Sequence, residues 1–83
     1  ELQTEVTFEP ETALFGGEDG LDFYRAIAKN WYGNLSSGGI IAFEIGDTQG
    51  KAVSDILSEN GYLSPKVMKD YEGRDRVVTA TKP

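Results

Sequence analysis

The sequence contains no cysteine and no histidine. The first absence excludes disulfides and thiolate metal sites. The second removes the commonest general base and metal ligand. No apolar run approaches the roughly 20 residues of a membrane-spanning helix, and there is no signal-peptide pattern. Positive charge is scarce at the front: residues 1–47 hold nine acidic and two basic side chains, whereas residues 48–83 hold five and six. The formal net charge is −6. Such a front half argues against a phosphate-backbone footprint and reads as a solvated acidic surface. A length of 83 residues supports one small domain with a modest core. The chain opens on Glu1 rather than Met, as expected of something cut from a longer protein or trimmed.

What is present centres on Gly38-Gly39-Ile40-Ile41-Ala42-Phe43-Glu44-Ile45-Gly46-Asp47-Thr48-Gln49-Gly50. Residues 40–45 are apolar except for Glu44, without polar alternation, which predicts a strand covered on both faces. Gly46 ends the run, Asp47 or Thr48 is placed to cap a helix, and an amphipathic segment follows. Ligands of open α/β sheets bind at the carboxyl ends of the strands, where Glu44, Gly46 and Asp47 lie.

Residues 1–15 have no clean period and read as extended or loop, with Glu9-Pro10 biased away from helix. Leu21, Tyr24, Ile27, Ala28, Trp31 and Leu35 form one helical stripe. Trp31 on such a stripe reads as core before it reads as a ligand platform. Gly33 and Asn34 are stop residues, and residues 36–39 read as a turn. A second helix is expected over about 48–60 with Gly61 as its stop. Strands follow over about 66–71 and 76–81, joined by a turn at 71–75, so they should pair antiparallel. The strands flanking the second helix should run parallel, with a right-handed crossover. Three strands and two helices leave one edge of the central strand without a partner, open to self-association.

Glu44 is the leading candidate site residue. A carboxylate in an apolar strand costs several kcal/mol if unpaired, so it needs a partner or water. One reading makes it a substrate ligand. The other makes it half of a buried pair with Arg25, Arg74 or Arg76. Arg74-Asp75-Arg76 itself reads as a turn with surface ion pairs. Gly46-Asp47-Thr48-Gln49-Gly50 follows a strand and opens a helix, but lacks both the G-x-G-x-x-G spacing and a P-loop Lys-Ser/Thr.

Taken in order, Glu9-Pro10, Ala13-Leu14, Gly16-Gly17, Asp19-Gly20-Leu21-Asp22-Phe23-Tyr24-Arg25, Leu35, Gly38-Gly39, Glu44-Ile45-Gly46, Gln49-Gly50, Gly61-Tyr62, Lys69-Asp70 and Gly73-Arg74-Asp75-Arg76-Val77-Val78 resemble the C-terminal part of the HemK/PrmC family. These are S-adenosylmethionine-dependent methyltransferases that modify the glutamine of the Gly-Gly-Gln motif in peptide-chain release factors. The resemblance runs from about Glu5 to the end. It implies the class I methyltransferase fold, a Rossmann-like α/β sheet of which residues 1–83 would supply the C-terminal portion. Residues 40–45 resemble its fifth strand, 66–71 its sixth and 76–81 its antiparallel seventh, which lies between the other two.

The family's glycine-rich cofactor loop, ribose-binding acid and Asn-Pro-Pro-Tyr catalytic motif have no counterpart in these residues. The resemblance therefore implies no catalytic, cofactor or metal residue here, and a fragment inactive alone. In the family, the Asn and a Pro carbonyl are understood to orient the substrate amide, catalysis by positioning without His or Cys. Glu44 would line the glutamine pocket beside that motif, and Glu9 and Pro10 would shape the cleft, unless Glu9-Pro10 is only a structural turn. The implied cofactor of the parent is S-adenosylmethionine. The implied partner is a release factor, with no direct nucleic acid, no membrane and a cytoplasmic location. Two other readings remain open: the same fold acting on another substrate, and a free-standing α/β interaction module.

Overall fold

The computed structural model describes residues 2–9 and 20–83. In chain order the elements are strand β1 (Gln3–Phe8), helix α1 (Asp22–Trp31), a 3-10 turn (Tyr32–Asn34), strand β2 (Leu35–Glu44), helix α2 (Gly50–Glu59), strand β3 (Leu63–Lys69) and strand β4 (Asp75–Thr81). They form one sheet in the order β1-β2-β4-β3. β1 pairs parallel with β2, and β4 pairs antiparallel with β2 and β3. β2 and β3 therefore run the same way with β4 between them, the order that the family resemblance implies.

The first strand corrects an expectation. β1 fills the edge of β2 that the sequence left without a partner, through Glu5–Ile40, Val6–Ile41, Thr7–Ala42 and Phe8–Phe43. Its signal is short: Val6 and Phe8 alternate with Glu5, Thr7 and Glu9, a period of two over five residues. Among the described residues the open edges are the outer sides of β1 and β3, so the central strand offers none for self-association.

The expectation of two covered faces is also corrected. Ile41, Phe43 and Ile45 of the β2 segment join Val78 and Ala80 of β4 in one core with Tyr24 and Ala28 of α1 and Val53, Ile56 and Leu57 of α2. Both helices thus lie on one face. The alternate residues Ile40, Ala42 and Glu44 pair with Thr81, Thr79 and Val77 on the other, where Ile40 is 40% exposed. An apolar run without polar punctuation concealed this alternation, because Ala42 is small and shielded by its neighbouring strands. Phe43 is the hub of the core, with rings of Tyr24, Phe8 and Phe23 at 5.2, 5.7 and 6.4 Å. Trp31 packs edge-on against Phe8 at 5.3 Å, which bears out its core reading.

Residues 36–39, read as a turn, belong to β2. Register jumps there from Gln3–Leu35 to Glu5–Ile40, and Gly38 takes φ +82°, open to glycine at little cost. Hydrogen bonds from Gly38 N–H to Lys82 O and from Lys82 N–H to Gly39 O, both 2.8 Å, keep this bulge stitched to the C-terminus. Leu35, placed on the first helical stripe, instead opens β2 after the 3-10 turn. Neither Asp47 nor Thr48 caps α2: Gln49 occupies that position, without a side-chain bond to the helix. The other end is as expected. Gly61, at φ +91°, donates to Ser58 O and Tyr62 N–H donates to Leu57 O, both 3.1 Å, a Schellman closure.

Candidate functional site

Parallel β1 and β2, with β3 running the same way, bring their carboxyl ends to one side of the sheet. Glu44 ends β2, and Glu9 follows Phe8, whose partner in register is Phe43. Two of the three predicted site residues therefore stand on adjacent strand ends, and both are exposed. The third, Pro10, lies outside the described residues.

Glu44 reaches water, the second of the two solutions open to a carboxylate in an apolar strand. The buried-pair alternative fails. Arg25 bonds Asp22 at 2.9 Å, Arg74 pairs with Asp70 at 3.7 Å and with Glu72, and no ion pair joins Glu44 to Arg25, Arg74 or Arg76. Among the described residues the Glu44 side chain has no hydrogen-bond or ion-pair partner.

The backbone beneath Glu44 is held firmly. The Glu44–Ile45 peptide donates its N–H to Arg76 O at 3.0 Å and accepts the Tyr24 hydroxyl at Glu44 O, 3.1 Å away. The four residues that follow form a closed turn. Gln49 N–H donates to Gly46 O at 3.1 Å, and Gly46 N–H donates to Gln49 Oε1 at 2.8 Å. The single Tyr24 proton is shared with Gln49 Oε1, 3.2 Å from the hydroxyl, as a three-centre bond. The hydroxyl sits in the core, and burial raises its pKa. Sequence reading missed both supporting residues: Tyr24 was one more member of a core stripe, and Gln49 one more turn residue. The only available signal was a side-chain amide three residues after a strand-ending glycine.

Beside this turn is a polar cleft of about 310 Å³, lined by Asp47, Asp70, Arg74, Asp75 and Arg76. Asp70 organises the β3–β4 hairpin. Its Oδ1 accepts from Glu72 N–H at 2.9 Å and Arg74 N–H at 3.1 Å. The Arg74 amide, then that of Glu72 and the nearby Arg74 and Arg76 charges, hold its carboxyl below the ordinary range despite some desolvation. Asp75 bonds Lys69 at 2.6 Å. The predicted surface ion pairs of Arg74 and Asp75 are present, running to Asp70, Glu72 and Lys69, but Asp75 and Arg76 belong to β4 rather than to the turn.

No family model matches the chain. It is 48% identical over 75 residues to a release factor glutamine methyltransferase of Clostridium acetobutylicum, covering 90% of the chain and 26% of that relative. It is 46% identical over 82 residues to one of Thermodesulfovibrio yellowstonii, covering 98% and 29%. The chain is homologous to one segment of the release factor glutamine methyltransferases. It spans just over a quarter of these relatives' length. A solved protein-(glutamine-N5) methyltransferase, release factor-specific, from Alicyclobacillus acidocaldarius superposes on 98% of the segment with TM-score 0.75 and 26% identity, using 49% of that structure. A methyltransferase from Pyrococcus furiosus superposes on 95% of it with TM-score 0.78 at 22% identity, using 40% of that structure, and so attests the fold. The chain has the mixed, Rossmann-like α/β architecture that the family resemblance implied.

The glycine-bearing turn between β2 and α2 is closed on itself, its Gly46 N–H taken by Gln49. No helix of the described residues is long and apolar enough to cross a membrane.

Proposed function

We propose that this chain is the C-terminal portion of the catalytic domain of an S-adenosylmethionine-dependent methyltransferase. Its substrate is the glutamine of the Gly-Gly-Gln motif of a release factor, modified at N5 in the cytoplasm. The observation that carries this reading is the 48% identity over 75 residues to a release factor glutamine methyltransferase, of which the chain covers 26%. The cofactor and its chemistry belong to other parts of the enzyme, so this segment acts on the substrate side, and alone it is inactive.

An amide nitrogen is a poor nucleophile because its lone pair is delocalised into the carbonyl. The protein assists by fixing the amide plane and accepting hydrogen bonds from its NH2 group. Glu44 suits that task, with an exposed carboxylate on a fixed backbone at a strand end. A charged acceptor makes a stronger bond than a neutral one. The same reading assigns Glu9, one residue past the end of β1, and Pro10 to shaping the substrate cleft.

The test uses the full-length protein that contains this segment, beside the 83-residue chain. Labelled methyl is followed from S-adenosylmethionine into a release factor and into its Gly-Gly-Gln variant with Gln replaced by Ala. Transfer by the full-length protein alone, lost in that variant, is expected. No transfer by the full-length protein would sink the reading.

A further inference from the structure

We infer that Tyr24 is a positioning residue for the reaction: its hydroxyl ties α1 to Glu44 and Gln49 and so sets where the Glu44 carboxylate is presented. The inference rests on the reading of Glu44 as a substrate ligand. Tyr24 is 1% exposed, and its ring stands edge-on to Phe43 at 5.2 Å and Phe23 at 5.5 Å. Packing therefore fixes the hydroxyl before it bonds anything. A core position alone needs only a phenylalanine. The hydroxyl has another use, because among the described residues parallel pairing with β1 runs to Phe8–Phe43.

One residue beyond that pair, the N–H of the Glu44–Ile45 peptide faces β4, bonded to Arg76 O. Its carbonyl therefore points the other way, where among the described residues β1 supplies no partner. Tyr24 takes the place of that partner. Its second contact, Gln49 Oε1, is the group that closes the Gly46 turn, and α2 starts immediately after, with Val53 N–H on Gln49 O at 3.0 Å. A single phenol thus links the strand end that carries Glu44, the turn that follows it and the start of α2. Without it, the Glu44 peptide is held from the β4 side only.

The experiment compares Tyr24→Phe, Glu44→Gln, their double variant and Gln49→Leu in the full-length methyltransferase. Turnover, KM for the release factor and thermal midpoint are measured for each. Tyr24→Phe keeps the ring and the fold. Its kcat is expected to fall about tenfold, as misplacement of a positioning group does, with KM within about twofold because most of the protein substrate binds elsewhere. The double variant should be no slower than Glu44→Gln, since Tyr24 acts through Glu44. Gln49→Leu should slow turnover in the same manner, and Gly46 amide exchange should quicken in both Tyr24→Phe and Gln49→Leu. Wild-type kcat in Glu44→Gln would end the reading of Glu44 itself. A slowed Glu44→Gln beside a Tyr24→Phe of wild-type turnover, or losses that multiply in the double variant, would overturn the positioning role and leave Glu44 standing.

Discussion

Replacing Tyr62 by Phe tests the packing of the helical layer on the sheet through a single oxygen atom. Tyr62 follows the Schellman closure of α2, is 3% exposed and donates its hydroxyl to Ala28 O of α1 at 2.8 Å. Its ring packs on Tyr32 at 5.3 Å. Tyr62→Phe keeps the ring and removes the donor from a buried carbonyl. The cost at neutral pH should be about 1–2 kcal/mol. For a domain of this size, each kcal/mol moves the thermal midpoint by roughly 4–8 °C.

The pH dependence gives the sharper test. Burial, reinforced by the neighbouring Tyr32, pushes the Tyr62 pKa from 10.0 up to about 12. The folded chain therefore holds the phenolic proton more tightly than the unfolded chain does. The stability linked to that proton is complete below pH 10 and is lost as pH rises through 12. A shift of this size corresponds to about 2–3 kcal/mol. Thermal melts of the chain and of Tyr62→Phe from pH 7 to 12.5 should show a wild-type advantage that is constant to pH 10, then shrinks and reverses sign as pH passes toward 12. A difference independent of pH, or a variant as stable as wild type at pH 7, would refute the buried bond.

Gly50→Ala should destabilise α2 although alanine is the better helix former by about 1 kcal/mol, because the new methyl would overlap the Asp75 carboxylate and stand 3.1 Å from Val67 Cγ1. In an Asp75→Ala background the same change should become stabilising, and a raised melting temperature in both backgrounds would contradict this packing. Asp70, with its folded pKa depressed, stabilises the hairpin above its unfolded value near 3.8, and this is lost as pH falls through the lower folded one. Amide exchange at Glu72 and Arg74 in Asp70→Ala should therefore be faster at pH 6, and unchanged protection would exclude the role. Lys82 places Nζ on Tyr32 O and on Leu35 O, 3.2 Å away, with Nζ 4.3 Å from the Tyr32 ring centroid. Lys82→Met should cost about 1–2 kcal/mol in chemical denaturation, and an unchanged midpoint would show that this strap carries no stability.

The limits of sequence reading fall at identifiable residues. The stripe from Leu21 to Trp31 and the stop at Gly61 were legible because helical period and glycine chemistry are local signals. The antiparallel β3–β4 pairing was legible because a short turn permits little else. β1 was read only as extended or loop, since Val6 and Phe8 are two apolar positions with little else to establish a period. The single covered face escaped because Ile40 and Ala42 are apolar without being packed by helices. The placement of β4 between β2 and β3 came from family resemblance, since connection length does not fix which edge a hairpin joins.

The site shows the same division between local and tertiary information. Glu44 was conspicuous as a lone charge in an apolar run, and its alternatives were separable only by burial: exposure at the strand end removes the structural pair. Glu9 acquires its meaning from register, because it follows the residue that pairs with Phe43. Tyr24 and Gln49 were invisible, since a core tyrosine and a turn glutamine are both ordinary until 25 residues of chain are folded to put one hydroxyl on the other's amide oxygen. The residue that presents a functional group is often the one whose own sequence signal is fully accounted for by packing. Here the distinguishing fact is the direction of one carbonyl. The Glu44–Ile45 peptide spends its N–H on β4, so its oxygen must find a partner on the side where, among the described residues, β1 pairing ends at Phe8, and α1 supplies the phenol that meets it.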